Sequence, residues 1–148
     1  MVGGDNINIL ECSSQGDKRF SAFYAKVKVF NNYDSIANHY QLCKRFGDIE
    51  PKSWRDAKGK TPTHINIGGI DMDVKYLSNY YDLLWCKYLD NNPELVEYAK
   101  QFDDYNDIFK GKSTNCQADT IRKYIKEGRN IIVKECRDFI KLLWREKY

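Results

Sequence analysis

A change in the spacing of apolar residues near position 31 constrains the fold more than any other feature of the sequence. From Phe23 to Phe30, apolar and polar residues alternate, with Val27 and Lys28 as neighbours at the centre. This alternation is typical of a half-buried β-strand. From Asp34 to about Phe46, apolar residues recur every three or four positions, which predicts a helix with Asp34 at its N-cap. The fold must therefore combine a sheet with helices.

Two more strand patterns flank this region. Ile7 and Ile9 predict a short strand that pairs with the strand at 23–30, and Asn31-Asn32 suits the turn after it. The segment 64–74 predicts a hairpin that turns at Gly68-Gly69. These patterns indicate a small antiparallel sheet.

Most of the remaining chain has helical signals. Asp73 can cap a long helix, Asn92-Pro93 suits a second helix start, and Gly128 suits a C-cap between two closing helices. The stretch 102–115 has no period and predicts a loop, of a length that is usually either functional or flexible. Helices are predicted at about 53–58, 73–88, 93–101, 116–127 and 130–147.

Composition excludes several classes of protein. The 148 residues include no linker and no repeat, and their charges nearly cancel, with a net charge of +3. A disordered tail or a histone-like polycation is excluded by this balance and by the 14% of aromatic residues. We therefore expect one domain over 1–148 that is α+β and predominantly helical, with a small antiparallel β-sheet.

The five cysteines predict neither a metal site nor disulfides. They lie 20 to 43 residues apart and form no C-x-x-C pair. An odd count without a signal peptide is typical of a reducing compartment, so we expect a cytoplasmic protein. We also expect a monomer without metal or cofactor. No apolar stretch is long enough for a membrane span.

The residues alone indicate one place where chemistry could occur. No catalytic triad, P-loop or zinc motif is present, and His39 and His64 are best interpreted as structural. A basic cluster surrounds a predicted loop, and such a cluster can hold phosphates through charge-assisted hydrogen bonds. It consists of Lys44, Arg45, Lys52, Arg55, Lys58 and Lys60.

Five segments in order carry a resemblance to a known family. They are FSAF at 20–23, YDSIANHYQLCKRF at 33–46, AKGK at 57–60, CKYLDNNPELVEYA at 86–99, and the polar loop through Asp107 that leads to Asn115 and a helix with Arg122. Together they resemble the NADAR (NAD and ADP-ribose-associated) family, whose members act on N-glycosidic bonds of ribosylated compounds. The resemblance covers roughly 7–129.

The resemblance implies a function and a substrate. It suggests an ADP-ribosyl hydrolase that cleaves the N-glycosidic bond of ADP-ribosylated guanine in DNA, which reverses a DNA ADP-ribosyltransferase toxin as an antitoxin or a phage counter-defence protein. The expected partners are the ADP-ribose moiety and ADP-ribosylated DNA. The alternatives are an N-glycosidase of riboflavin-pathway intermediates and a non-catalytic module that binds ADP-ribose.

The resemblance also implies which residues form the site. Residue 37 is the position of the family glutamate, Asp107 would assist it, and Lys44 would protonate or bind the leaving group, orient the ribose hydroxyls or form a Schiff base. The diphosphate would be held by Gly59, Lys60, Lys112 and Asn115, and adenine by Phe20, Phe23 or Tyr105. The other residues matched to the site are Ser21, Tyr40, Gln41 and Gly111.

Two positions depart from the family pattern. Ala22 stands where the family has asparagine, and Ala37 stands where it has the glutamate. With Asp34 as the N-cap, Ala37 would occupy position N3, where a capping box has Glu or Gln. Two explanations remain: this is a natural inactive relative, or an alanine has been substituted for a catalytic glutamate to trap a bound substrate.

Overall fold

A computed structural model describes residues 8–107 and 117–147, with side chains up to residue 143. Within these ranges the fold is α+β and predominantly helical, as predicted. The strands are β1 (Ile9–Glu11), β2 (Lys26–Val29), β3 (Asn32–Ser35), β4 (Lys44–Arg45), β5 (His64–Ile67), β6 (Ile70–Met72) and β7 (Asp104–Asn106). The helices are α1 (Ile36–Leu42), α2 (Trp54–Ala57), α3 (Leu77–Asp90), α4 (Pro93–Ala99), α5 (Gln117–Glu127), α6 (Arg129–Glu135) and α7 (Arg137–Lys147).

The described strands form three small sheets rather than one. Strands β2 and β3 pair antiparallel, β4, β5 and β6 form an antiparallel sheet, and β1 pairs with β7 in parallel. The predicted hairpin at Gly68-Gly69 is confirmed as β5–β6. The expected pairing of Ile9 with the strand at 23–30 is wrong, because β3 follows β2 directly and takes its place.

The strand predicted at 23–30 is shorter than expected. Its pairing runs from Lys26 to Val29, and Phe30 and Asn31 both have positive φ, at 48° and 68°. A two-residue loop of this conformation matches the right-handed twist of the paired strands. Ala25 and Val27 are buried as the alternation predicts, but Phe23 is exposed in the preceding turn.

Helix α1 begins and ends differently from the prediction. Its N-cap is Ser35, whose Oγ accepts from the Asn38 amide at 3.1 Å, whereas Asp34 Oδ1 accepts from the amide of Ser35. Position N3 is therefore Asn38, and Ala37 occupies N2, so the capping-box argument is wrong. The helix ends at Leu42, before residue 44 begins the pairing with β5.

Helix α3 lies at the centre of the core. It contacts β2, α1, α4, α5 and α6. A 3₁₀ turn at Val74–Tyr76 precedes it, and Asp73 accepts a hydrogen bond from the Lys75 amide at the start of that turn. Its buried residues include Tyr81, Leu84, Trp85 and Leu89.

The C-terminal part departs from the prediction in two respects. The predicted loop at 102–115 contains β7, and the single helix predicted at 130–147 is divided at Cys136 into α6 and α7. Gly128, with a φ of 99°, separates α5 from α6 as expected. Strand β7 directly precedes Asp107, so its pairing with β1 fixes where the predicted catalytic carboxylate emerges.

Candidate functional site

Helix α1 has two faces of different character. At 3.6 residues per turn, Ala37, Tyr40 and Gln41 share one face, and Lys44, just past the helix end, continues it. These four are residues that the family resemblance assigns to the site. We call this side the Ala37 face.

A chain of three hydrogen bonds links the Ala37 face to Asp107. The amide of Ala37 donates to the carbonyl of Ala22 at 2.8 Å, and the amide of Ala22 donates to Gln117 Oε1 at 2.7 Å. Gln117 Nε2 in turn donates to Asp107 Oδ2 at 3.1 Å. Both Gln117 and Asp107 are buried. The structure therefore joins two predicted catalytic positions, 37 and 107, through a glutamine that is the first residue of α5.

Lys44 is a buried cation with few contacts that offset the cost of burying its charge. Lys44 is only 5% exposed, and its Nζ lies 5.1 Å from the centre of the Tyr40 ring. The Nζ approaches the carbonyl of Ala57 at 3.5 Å, the limit for a hydrogen bond. No ion pair with a carboxylate of residues 8–107 or 117–143 involves Lys44. Burial lowers the pKa of the ammonium group.

The prediction that Lys44 lies on the helix is wrong, because residue 44 belongs to β4 and pairs with Ile65. Its Nζ nevertheless stays beside Tyr40, since β4 follows α1 after a single residue. The change of backbone direction brings the amine to the end of α2, and this contact connects the Ala37 face to the 57–60 segment.

Gln41 contributes an acceptor that no described residue uses. Its side chain is half-buried, but its Oε1 is inaccessible to solvent and has no hydrogen-bond partner among the described residues. A buried polar atom without a partner costs free energy unless a ligand or water satisfies it. The face thus offers a cation at Lys44 and an acceptor at Gln41.

The segment at 57–60 lies beside Lys44. The carbonyl of Ala57 accepts from the amide of Lys60 at 3.1 Å as well as from the Lys44 amine. Gly59 has a φ of 75°, which glycine adopts without strain, and Lys60 is exposed. Gly59 and Lys60, two of the four residues predicted to hold a diphosphate, are therefore at the edge of the Ala37 face.

Phe23 and Ser21 lie in the turn before β2. Phe23 is 44% exposed and meets Trp54 edge to face at 5.4 Å between ring centres. Ser21 is buried, and its Oγ accepts from the Phe23 amide at 3.3 Å. Ser21 thus shapes the turn that presents Phe23.

The predicted role of Phe20 and Tyr105 in adenine binding is wrong, because both rings are buried. Phe20 is completely buried and stacks on Tyr98 at 6.2 Å. Tyr105 is also buried, and its hydroxyl donates to the carbonyl of Ala99 at 2.7 Å. A ring that is buried in the core has no exposed face on which adenine could stack. Gly111, Lys112 and Asn115 lie outside the described residues.

Sequence reasoning missed Gln117 and Trp54. Gln117 is 95 residues from its partner Ala22, and a glutamine at the start of a helix gives no signal of such a contact. Trp54 lies in the helix predicted at 53–58, and the sequence gives no sign of its contact with the Phe23 ring. Its position within the basic cluster was the available signal.

A cleft of about 220 Å³ lies on the opposite side of α1. It contains none of the predicted site residues, and His39 within it is fixed by a 2.8 Å contact between its Nε2 and the Val27 carbonyl. Its lining is Val29, Phe30, Asn32, Asp34, Asn38, His39, Leu42, Cys43, Asn66, Ile67, Gly68 and Tyr80. The Ala37 face remains the candidate site, because the cleft lacks a lysine or arginine for a diphosphate.

Comparison with known proteins adds no family to this description. No protein-family model and no curated protein matches the chain. In residues 8–107 and 117–147, no group of three or more His, Cys, Asp or Glu side chains is placed to hold a metal ion. None of the helices described there combines the length and the apolar character that crossing a membrane requires.

Proposed function

We propose that the Ala37 face binds an ADP-ribosyl group attached to guanine in DNA, and that the chain is an N-glycosyl hydrolase of NADAR type without its glutamate. The observation that carries this proposal is Lys44, a buried ammonium group without a carboxylate partner among the described residues, beside the unsatisfied oxygen of Gln41. A diphosphate supplies the missing negative charge, and ribose hydroxyls supply donors for the Gln41 oxygen.

The chemistry explains why residue 37 matters. Cleavage of the bond between ribose C1 and a base nitrogen passes through a state with positive charge on the sugar, which a nearby carboxylate stabilises. Position N2 of α1 suits a carboxylate, because the helix N-terminus carries partial positive charge. The methyl group of Ala37 cannot act as a general base. General base catalysis typically contributes about 10²–10⁴-fold to the rate.

Asp107 is the other predicted acidic group of the site. Its Oδ2 accepts from Gln117, so the carboxylate has a fixed position relative to the amide of residue 22. We assign it to orienting the ribose or the water. With Ala37 present, Asp107 alone lacks the second carboxylate that would complete the constellation.

Lys44 has two roles compatible with its surroundings. As an ammonium group it donates to a phosphate or to the departing base. As a neutral amine, a form that its lowered pKa favours, it attacks C1, and the base leaves with the electron pair of the broken C1–N bond and takes up a proton. Cleavage of the C1–O4′ bond, with a proton going to O4′, then gives a protonated Schiff base, and water hydrolyses it to release ADP-ribose and the free amine. Borohydride trapping of a covalent adduct separates the second role from the first.

A second candidate is a binding module without turnover. Its supporting observation is Ala37 itself, since a buried methyl group occupies the position of the family glutamate. The module would sequester ADP-ribosylated DNA with the same Lys44 and Gln41 contacts. An N-glycosidase of riboflavin-pathway intermediates is the other enzymatic alternative.

The test compares the chain with its Ala37→Glu and Ala37→Gln variants. Each is incubated with an ADP-ribosylated oligonucleotide and, separately, with ribosylated riboflavin-pathway intermediates, and released ADP-ribose or base is measured by chromatography. We expect release of ADP-ribose by the glutamate variant only, by about 10²–10⁴-fold over the glutamine variant, which matches it in size but not in charge.

The other outcomes are equally informative. Tight binding of the modified oligonucleotide by all three forms, without release, favours the binding module. Turnover of the riboflavin-pathway intermediates alone would transfer the proposal to that substrate class. If no form binds free or DNA-linked ADP-ribose, the family inference fails.

A further inference from the structure

Beside the Ala37 face is a surface where cations lie over an exposed tyrosine ring and a half-buried tryptophan ring. Tyr24 is 52% exposed and follows Phe23 in the same turn, and Trp54 begins α2. We call the set formed by Tyr24, Trp54, Lys18, Arg55 and Lys58 the basic–aromatic surface. We propose that this surface binds single-stranded nucleic acid by stacking bases on Tyr24 and Trp54 and by contacting phosphates through its cations.

Each ring has a cation close to its face. Lys18 Nζ lies 5.1 Å from the centre of the Tyr24 ring, and the Arg55 guanidinium carbon lies 4.7 Å from that of Trp54. Lys58 Nζ lies 5.4 Å from the Trp54 ring and 5.5 Å from that of Phe23. These contacts place positive charge directly beside the rings.

The cations of this surface are available for phosphates. None of Lys18, Arg55 and Lys58 takes part in an ion pair with the side chains of residues 8–107 or 117–143. Exposed Lys52 and Lys60 add to the positive charge nearby. The acid of α2, Asp56, accepts a hydrogen bond from the backbone amide of residue 52 instead. The cations named here therefore outnumber the acid of α2.

Rings with neighbouring cations favour a single strand over a duplex. In single-stranded nucleic acid each base has a free face for stacking, and the strand is held by base stacking together with a basic groove. A duplex offers its phosphates but no base faces. A membrane surface would need contiguous apolar area, whereas here a cation lies over the Tyr24 ring and two cations lie over the Trp54 ring.

The location of the surface connects it to the candidate site. Lys58 directly follows Ala57, whose carbonyl is the contact of the Lys44 amine. A strand on the basic–aromatic surface would thus bring its next nucleotide to the Ala37 face. That placement rests on the proposed function, but binding of an unmodified strand requires neither ADP-ribose nor turnover.

The test measures binding of unmodified, fluorescently labelled single-stranded DNA and of the matching duplex by fluorescence anisotropy. We expect the single strand to bind more tightly, and Tyr24→Ala or Trp54→Ala to weaken its binding about 5- to 100-fold. Tyr24→Phe keeps the ring and should bind as the original chain does. Phe30→Ala, which removes an exposed ring beside the opposite cleft, is the matched control and should leave binding unchanged.

Salt dependence tests the cations. Lys58→Gln should lower the slope of log affinity against log salt by about 0.7, the value expected for one phosphate contact on a single strand. Lys134→Gln, an exposed lysine of α6, should leave that slope unchanged. Circular dichroism of each variant confirms that it remains folded, so a loss of binding reports on the surface.

Several results would overturn the proposal. These are tighter binding of duplex than of single strand, equal binding by Trp54→Ala and Phe30→Ala, and binding of anionic phospholipid vesicles in place of DNA. Failure of the proposed function is distinguished by the Ala37→Glu hydrolysis assay. If Ala37→Glu does not hydrolyse the substrate but unmodified DNA still binds in a Trp54-dependent way, only the glycosidase proposal is refuted. If Ala37→Glu hydrolyses the substrate but unmodified DNA does not bind, only the proposal for this surface is refuted.

Discussion

Replacing Lys44 with methionine should make the protein more stable and its site non-functional. Lys44 is 5% exposed, and among the described residues only the Tyr40 ring and a marginal contact with the Ala57 carbonyl compensate its charge. Methionine has a similar length and no charge, so it fills the same space without the desolvation cost. Activity and stability should therefore change in opposite directions.

The size of the effect follows from these contacts. Burying an ammonium group costs several kcal/mol, and a cation–π contact recovers about 1–2 kcal/mol of that. We expect Lys44→Met to raise the free energy of unfolding by about 1–3 kcal/mol. With a urea m value of about 2 kcal/mol/M, the unfolding midpoint would rise by about 0.5–1.5 M.

The pH dependence has a definite sign. Because the folded pKa of Lys44 is lowered from 10.5, the folded chain binds this proton more weakly than the unfolded chain does. The penalty is present in full below the folded pKa and is relieved as the pH rises from that value towards 10.5. The advantage of Lys44→Met over the original chain should therefore shrink as the pH increases.

Urea titrations followed by circular dichroism at about pH 7 and at about pH 9.5 measure both effects. Lys60→Met is the matched control, because the same substitution is made at an exposed lysine near the same carbonyl. The reasoning is refuted if Lys44→Met destabilises the protein, or if its stability gain equals that of the control and does not depend on pH.

Three other perturbations test the structure elsewhere. Gln117→Leu leaves the buried amide of Ala22 unpaired and removes one hydrogen bond of Asp107, so urea unfolding should show a loss of about 2–4 kcal/mol; unchanged stability would contradict this. Gly68→Ala, with a φ of 63° and a new Cβ 2.8 Å from an aromatic ring, should cost about 2–3 kcal/mol, whereas Gly69→Ala, with no heavy atom within 4 Å, should cost about 1 kcal/mol in the same assay. Burial raises the pKa of the Cys43 thiol to about 12, so mass spectrometry should find it unmodified by iodoacetamide in the folded protein at neutral pH. Rapid native alkylation would show that this thiol is accessible.

Elements determined by neighbouring residues could be predicted from the sequence. The hairpin at Gly68-Gly69 and the helices α2, α3 and α4 all lie close to their predicted ranges. Each depends on a turn residue, a cap or a proline next to an apolar pattern. These signals act over a few positions, so no knowledge of the tertiary structure is needed.

Elements determined by distant contacts could not be predicted. Residue 44 fits a helical spacing equally well, and only its pairing with Ile65 makes it a strand. In the sequence, Phe20 and Tyr105 resemble other aromatic residues outside helices. Their burial depends on contacts with α4: Phe20 stacks on Tyr98, and the Tyr105 hydroxyl donates to Ala99. For the same reason, spacing along α1 grouped the residues of the Ala37 face but gave no indication of Gln117.

The parallel pairing of β1 with β7 has a consequence for the order in which the protein folds. Asn8 and Asp103 hydrogen-bond across 95 residues, and Ala22 and Gln117 are equally far apart in the chain. Closing loops of this length is slow compared with forming hairpins or helices. During synthesis, the residues of α1 and Lys44 are also made before Gln117, which donates to Asp107. The basic half of the site precedes the acidic half, so a chain interrupted before α5 would keep the lysine but lack the hydrogen bond from Gln117 to the carboxylate.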